Sequence, residues 1–543
     1  MKSGPTHTAW SFLQSVGVNT HMSWQDTAGY ANASVVQKSI AYLGATHVRD
    51  GIPYNGWTLP EYEAIASTGV RFDIIASGPA IDIAGDLAQA ARLAQAVPGS
   101  VAAMEGANEF NTQNSVFNGA NSSGNPAWAQ QYDPALYSAV KGNATLSGAT
   151  VIAASMANAG AAEIQKEGDV SKFVDSSNWH TYYSNGDQPA RNLASAVANA
   201  QSTAPGKPVT ITETGYYTAV DAMDWGGGGV SPQVQAVLTV NTLLDAFNDG
   251  VSTTYLYELM NNVASPSSAD LEGSFGLFLA DGTPKPAATA VHNLTALLAD
   301  PGARASSFQA GTLPATITGL PATGSSLTLQ KSDGTFDLVL WNEPKVWDQP
   351  SRSAAAPAAV PVSVDLGGTY QTVKLYDPIA GTSPTQTLSN ANTVSLSLTA
   401  DPVIIEIAPN TAPAAAAPAA PPAAPPAAAT GAATVTLHLA EDAWKGDAQY
   451  SATVDGAPLG QGGTVTASHA KGQPQAVDLQ AVLSAGAHDV GVSFLNDAYG
   501  GTAAADRNLY VTGIDVNGTP VSGAAAALMS AGTSHFQIVV PSA

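Results

Sequence analysis

The sequence predicts an α/β architecture: a (β/α)8 TIM barrel, then a β-sandwich, an Ala/Pro linker and a second, C-terminal β-sandwich. Three observations carry this. Over residues 1–300, short β-rich runs alternate with longer helical stretches. Over residues 301–408, apolar and polar residues alternate in runs separated by Gly, Pro, Asp and Asn. From Pro409 to Ala433 an Ala/Pro tract interrupts the chain, a composition that cannot pack a core and forms an extended, semi-stiff spacer. At roughly 150 residues per domain, 543 residues suit two to four domains.

The strands expected for the barrel are Val16–His21, Thr46–Asp50, Arg71–Ala76, Val101–Ala107, Thr150–Ser155, Ser177–Tyr182, Pro208–Glu213 and Thr253–Glu258. Helical segments between them include Ala33–Leu43, Ile83–Ala96, Asp133–Lys141, Arg191–Ala200 and Val234–Asn248. An open doubly wound sheet is the alternative, but no Gly-rich phosphate turn follows the first strand. The sandwich strands begin with Ser326–Gln330 and Phe336–Trp341 and end with Val403–Ile407. Residues 434–543 alternate in the same way, as in Val435–Leu439 and His488–Phe494.

Lys and Arg number 19 against 42 Asp and Glu, a net charge of −23. Neutralising phosphates needs a basic face, so a nucleic-acid partner is excluded, and an anionic bilayer surface with it. A neutral ligand such as a sugar is compatible. Only 11% of residues are charged, a composition read as that of a secreted, soluble, low-charge chain, and a monomer is expected. The absence of Cys excludes disulfides, thiolate metal sites and a Cys nucleophile. No apolar stretch of about 18 residues is present. Residues 1–15 contain no apolar signal core, so a secretion signal is expected to be already removed.

Two acids stand at the ends of expected barrel strands: Glu109 in VAAMEGANEF on the fourth, and Glu213 in PVTITETGYY on the seventh. Side chains at C-terminal strand ends converge on the mouth of a barrel. Three βα units of roughly 31–35 residues separate the pair, which sets the two carboxyls across that mouth. Paired carboxylates suit glycoside hydrolysis: one protonates the leaving oxygen, the other attacks or activates water. Asn108 is placed to bond a sugar hydroxyl. A second Asn-Glu, in Leu340-Trp341-Asn342-Glu343-Pro344, follows a sandwich strand and falls outside the barrel.

Asn108-Glu109 with Glu213 resembles the clan A retaining glycoside hydrolases, and the appended sandwich is similar to that of the family 39-like members. The resemblance covers residues 10–408. It implies that Glu109 is the acid/base and Glu213 the nucleophile. It also implies that Arg49 (HVRDG) orients the nucleophile and that His180 and Tyr182 (NWHTYY) contact substrate. GLFLADGTPKPAATAVHNL resembles the clan's last loop and helix. Strand eight departs from the pattern: TTYLYELMNN puts Tyr257 where many members have a Trp platform, and Glu258 is an extra acid without a role. The loops at the catalytic face carry Phe117, Trp128, Tyr132, Trp225, Trp24 and Trp57, aromatics suited to stacking on sugar rings along an extended cleft.

The C-terminal segment carries two acidic loops, EDAWKGD (441–447) and NDAYGG (496–501), the second followed by Asp506 and Asn508. Such loops supply the hard oxygens that calcium prefers. EDAWKGDAQYSATVDG and FLNDAYGGTAAADRNLYV resemble the calcium-dependent xylan-binding carbohydrate-binding modules of the family 36 and 60 type. That likeness implies Ca2+ held by Asp497 and Asp506, with Asp442, Asp447 and Asn508 as further ligands, and stacking by Trp444 and Tyr499. Catalysis is expected to need no cofactor. The expected activity is a retaining endo-β-glycanase acting on a xylan- or β-glucan-type polysaccharide. The alternatives are an exo-acting β-glycosidase, a bacterial exopolysaccharide hydrolase, and a polysaccharide-binding protein without chemistry.

Overall fold

The computed structural model describes residues 5–53, 56–223, 227–302, 304–410, 430–455, 457–484, 486–500, 502, 505–521 and 524–540. The chain forms two compact units, Met1–Thr411 and Ala412–Ala543. Most of the Ala/Pro tract, 411–429, lies outside the described residues.

The first unit contains an eight-stranded parallel barrel. Its strands are β1 (Val16–Asn19), β2 (His47–Gly51), β3 (Arg71–Ile75), β4 (Val101–Glu105), β5 (Thr150–Ile152), β6 (Ser177–Tyr182), β7 (Val209–Gly215) and β8 (Val251–Leu256). The hydrogen-bonded order runs β5-β4-β3-β2-β1-β8-β7-β6. A parallel bridge from Ile152 to Ser176 brings β5 back to β6 and closes the ring. Burial on both faces explains the near-continuous apolar character of these runs.

The outer helices are α1 (Ala33–Leu43), α2 (Leu59–Ala66), α3 (Ile83–Ala96), α4 (Ala129–Gly142), α5 (Ala161–Glu167), α6 (Ala190–Thr203), α7 (Pro232–Asn248) and α8 (Pro286–Leu297). Local chemistry sets several of their ends. Asn32 caps α1 by accepting from Ser34 N, and Gly44 ends that helix at φ 68°. Helix α7 is buried nearly all round, which fits its apolar sequence.

Six strands beyond residue 301 and one from the N-terminus build a seven-stranded sheet. Its path is Thr6–Thr8, Gly324–Gln330, Phe336–Asn342, Val403–Ile407, Val360–Tyr376 and Thr316–Thr318, with Gln386–Leu398 paired along Val360–Tyr376. The chain's own N-terminal strand was not foreseen: Thr6–Thr8 runs parallel to Gly324–Gln330, with Thr6 opposite Thr328. Phe336–Asn342 is buried on both faces. Leu338 and Leu340 pack inside the sheet's own core, while Val339 and Trp341 join the barrel core. Trp341 Nε1 donates to Asp245 Oδ1 of α7 at 2.8 Å. The second Asn-Glu therefore serves this seam: Asn342 Oδ1 accepts from Thr323 Oγ1 at 2.7 Å, and Glu343 accepts from Ala190 N at the start of α6 at 3.4 Å.

The second unit is a sandwich of two antiparallel sheets. One follows Gln475–Ser484, Thr430–Asp442, Asp506–Val516 and Ala498–Tyr499; the other follows Ala457–Pro458, Gln449–Val454, Gly486–Phe494 and Gly532–Val540. Leu437, Leu439, Val492, Phe494, Leu509 and Ile538 meet between them. Among the described residues, no helix is long and apolar enough to cross a membrane.

Candidate active site

Arg49, on β2, is the hub of the barrel mouth. Its Nε and Nη2 grip the carboxylate of Glu105, the last residue of β4, with Nη2 to Oε1 at 2.8 Å. Its Nη1 donates to Glu213 Oε1 at 2.7 Å and to Asn19 Oδ1 at 2.9 Å, and its Nη2 donates to Asn108 Oδ1 at 2.6 Å. The planar guanidinium is suited to this forked task, which a lysine ammonium could not reproduce. Glu105 Oε1 also accepts from Asn178 Nδ2 at 3.0 Å and lies 3.1 Å from the Thr212 hydroxyl. A single guanidinium thus serves two carboxyl groups, those of Glu105 and Glu213.

Glu213 lies on β7 and points into the same mouth because the strand carries a bulge. Pairing with β6 steps from Ile211–Trp179 to Glu213–His180, leaving Thr212 unmatched. A bulge re-aims side chains, and here Thr212 and Glu213 both reach site groups. Tyr182 donates its hydroxyl to Glu213 Oε2 at 2.6 Å. Burial pushes the Glu213 carboxyl up, but His180, Arg49 and the Tyr182 bond outweigh it and hold the group down at about 2. Glu213 is therefore held as a carboxylate near neutral pH.

Glu109 sits four residues beyond β4, on a left-handed turn at φ 43°. Its backbone N–H donates to Ser155 Oγ at 2.9 Å. Gly106 lets the approach happen: a Cβ there would meet Ala154 N of the next segment at 2.5 Å. His180 Nδ1 lies 3.0 Å from Glu109 Oε1, and its Nε2 lies 3.0 Å from Thr212 Oγ1. Burial lowers the basicity of this imidazole, but the charges of Glu213 and Glu109 raise it above the ordinary histidine value on balance. Glu109, His180 and Glu213 each bring one side-chain atom within 4.8 Å of the others. Two carboxylates and an imidazole at this spacing could hold a cation, but Arg49 and His180 already bring positive charge to them. A cavity of about 320 Å³ opens beside Glu109, lined also by Thr112, Asn158, His180, Tyr182 and Tyr217.

The aromatic residues divide. Trp24 is 37% exposed and Tyr257 half-buried, with Tyr257 meeting Tyr182 and Phe275 edge-on. Trp128 requires a correction. It is fully buried, stacked on Tyr132 at 4.7 Å, and its Nε1 donates to Ala120 O at 3.2 Å. It pins the loop from within and offers no face to a ligand. Trp225 lies outside the described residues. Sequence reasoning missed Glu105, Asn19, Asn178, Thr212 and His21. Asn178 carried a signal, since it precedes His180 and Tyr182 with the two-residue period of an inward strand face.

In the second unit, Asp442 pairs directly opposite Asn508 across the strands, and Asp506 lies two residues before Asn508 on the same face. With its N–H groups turned toward Asp506, the Asn508 amide donates to Oδ2 at 3.3 Å. Asp442 Oδ2 accepts from Tyr510 at 2.6 Å. One patch thus gathers two carboxylates, whose hard oxygens fit calcium, and turning the Asn508 amide over would add its oxygen to them. Asp447 and Asp497 stay exposed on the flanking loops. Arg507 clamps those loops together, donating to the carbonyls of Trp444, Lys445, Gly446 and Asn496 at 2.5–2.8 Å. Trp444 is half-buried with the Lys445 ammonium 4.3 Å from its ring centre, whereas Tyr499 is 54% exposed.

Residues 434–530 match the CBM60 family model, described as a Ca-dependent, xylan-binding carbohydrate-binding module. No curated protein matches the chain. Among solved structures, the chain is similar to a GH39 β-xylosidase from Caulobacter crescentus. Identity is 15% and the TM-score 0.48, over 75% of this chain and 98% of that one. An endo-β1,6-glucanase is similar at 10% identity and a TM-score of 0.41, over 75% and 93% of the two chains. A β-1,3-glucanosyltransferase from Rhizomucor miehei is similar at 15% identity and a TM-score of 0.36, over 50% and 96%.

Proposed function

We propose that the chain is a secreted, retaining glycoside hydrolase that cuts within a β-linked polysaccharide of the xylan or β-glucan type. The observation that carries this reading is the approach of Glu109 and Glu213, with one atom of each within 4.8 Å of the other. Retaining enzymes hold their two carboxyl groups about 5–5.5 Å apart, whereas inverting ones leave room for a water at about 6.5–9.5 Å. Glu109 protonates the glycosidic oxygen while ionised Glu213 attacks the anomeric carbon, forming a glycosyl ester and releasing the leaving sugar. Glu109, now a carboxylate, takes a proton from water as that water attacks the same carbon and frees Glu213. Arg49 and Tyr182 hold the Glu213 oxygens in place. Asn108 Oδ1 is taken by Arg49, so its Nδ2 is the atom with which it meets a sugar hydroxyl.

The C-terminal unit tethers the catalytic unit to polymer and so raises the local substrate concentration. Asp442 and Asp506 would hold calcium, with the Asn508 amide turned over to offer its oxygen, Asp447 and Asp497 contributing from the flanking loops and Tyr499 stacking on a ring. Bound calcium supplies a hard cation for sugar hydroxyl oxygens.

The test is release of reducing ends from xylan, glucans, mannan and galactan, with Glu109→Gln and Glu213→Gln as controls. Each variant should lose at least about a thousandfold in turnover while remaining folded. Full activity in either would remove the role given to that residue.

A further inference from the structure

One buried acid beside the site takes no part in the reaction scheme. Glu258, two residues past β8, is fully buried, and its Oε1 has no hydrogen-bond partner among the described residues. Its Oε2 accepts from the Tyr30 hydroxyl at 2.9 Å and lies 3.4 Å from Nε2 of His21. That Nε2 is itself sealed from solvent and has no hydrogen-bond partner among the described residues, although the His21 side chain as a whole is 20% exposed; an acidic hydrogen on the facing Oε2 is what would satisfy it. Tyr30 and His21 both belong to the segment after β1. Asp50 pins this segment a second time, accepting from Thr20 Oγ1 at 2.7 Å and from Met22 N at 2.8 Å. His21 lies flat against Trp24, with ring centres 3.8 Å apart and planes 5° from parallel, and meets Tyr257 edge-on at 5.5 Å. The His21 orientation therefore sets that of the exposed Trp24 ring.

Two ionised groups at this depth would each carry a large desolvation cost. The surroundings favour neutral forms instead. Burial lifts Glu258 to about 8; Glu272 and Glu213 push the same way, against the Tyr30 bond and Lys285. Burial lowers His21 to about 4, with Glu213 raising it and Arg49 lowering it further. Near pH 6 a protonated carboxyl would then face a neutral imidazole across the 3.4 Å between Oε2 and Nε2. A neutral imidazole has one donor and one acceptor nitrogen, and the partner on one side decides which is which.

We propose that Glu258 is a positioning residue whose Oε2 hydroxyl donates to His21 Nε2, fixing His21 as the Nδ1–H tautomer and holding the Trp24 ring at the sugar-binding face. The consequence for turnover rests on the hydrolase reading; the location of the proton does not. Glu258 forms and breaks no bond to substrate. Its work is to present a rigid ring pair beside the nucleophile.

The first measurement needs no substrate. Ring-15N-labelled histidine in the full chain, with His21 assigned through His21→Gln, reports charge and tautomer by NMR. The expected result near pH 6 is a neutral His21 with its proton on Nδ1, in the wild type and in Glu258→Gln. A charged ring, or a proton on Nε2 in the wild type, overturns the proposal. The second measurement is kinetic, on an aryl β-glycoside. Glu258→Ala should raise KM at least about tenfold with kcat changed less than about threefold, and Glu258→Gln should recover most of the loss. The wild type should lose kcat/KM as pH rises through about 8, and the Gln variant should not. A Gln variant no better than the Ala variant, or one with the wild-type alkaline limb, also overturns it. Should the wild type turn over no glycoside, the hydrolase reading falls, and the NMR result still decides the proton's place. If Glu258→Ala does not fold, the Gln variant carries both measurements.

Discussion

Tyr182→Phe removes one atom from the candidate site and leaves the ring in place. The lost hydroxyl donates to Glu213 Oε2 at 2.6 Å, a bond to a charged acceptor in a buried setting. Such bonds contribute about 1.5–3 kcal/mol. At 1.36 kcal/mol per pKa unit, the Glu213 carboxyl should rise by about 1–2 units. Its starting value is about 2, set by burial against the opposing pull of His180, Arg49 and Tyr182 itself, so the acid limb of kcat/KM should move to about pH 3–4. The same energy, lost while the nucleophile is being aligned, corresponds to a fall in kcat/KM of roughly 10- to 150-fold. The assay is the pH profile of kcat/KM on an aryl β-glycoside for both proteins, with thermal unfolding recorded alongside to establish that the variant is folded. An unmoved acid limb with a fall below about threefold would refute the argument that this hydroxyl helps keep Glu213 ionised and aimed.

Further outcomes follow in each unit. Burial raises Asp50 and Asp133 to about 7 and Glu258 to about 8, well above the range of roughly 4 for unfolded carboxyls. The folded state then binds protons that the unfolded state has released. The stability these groups contribute is complete below about pH 4 and is lost as pH rises through 7–8, so the urea midpoint of the N-terminal unit should be lower at about pH 9 than at about pH 5. In the C-terminal unit, Arg507→Ala should leave four loop carbonyls without their donor and should abolish retention on insoluble xylan in a pull-down. Chelator should do the same to the wild type and calcium should restore it; retention that survives chelation would count against a metal-bridged hold.

The sequence by itself determined the fold class. Alternation of apolar strands with amphipathic helices is a local property, and it suffices to mark eight βα units, a change to sandwich patterning and a proline-rich break. It also put two acids near the ends of the fourth and seventh strands, because strand ends show wherever an apolar run stops. What it could not supply were the facts that arise only when distant segments meet. The bulge that turns both Thr212 and Glu213 toward the mouth is a mismatch between β7 and its neighbours, invisible in β7 alone. Glu105 reads as one more acid in an apolar run until Arg49, 56 positions earlier, closes on it. Trp128 in a polar loop looks like a sugar platform, yet the packing of Phe110 and Tyr132 draws it fully inside. Thr6–Thr8 is too short to carry any pattern and becomes a strand only because the edge of Gly324–Gln330 is there to pair with it. Periodicity decides which way a residue faces within its own element; burial and hydrogen bonding depend on what that face meets, and only the tertiary structure brings the partner.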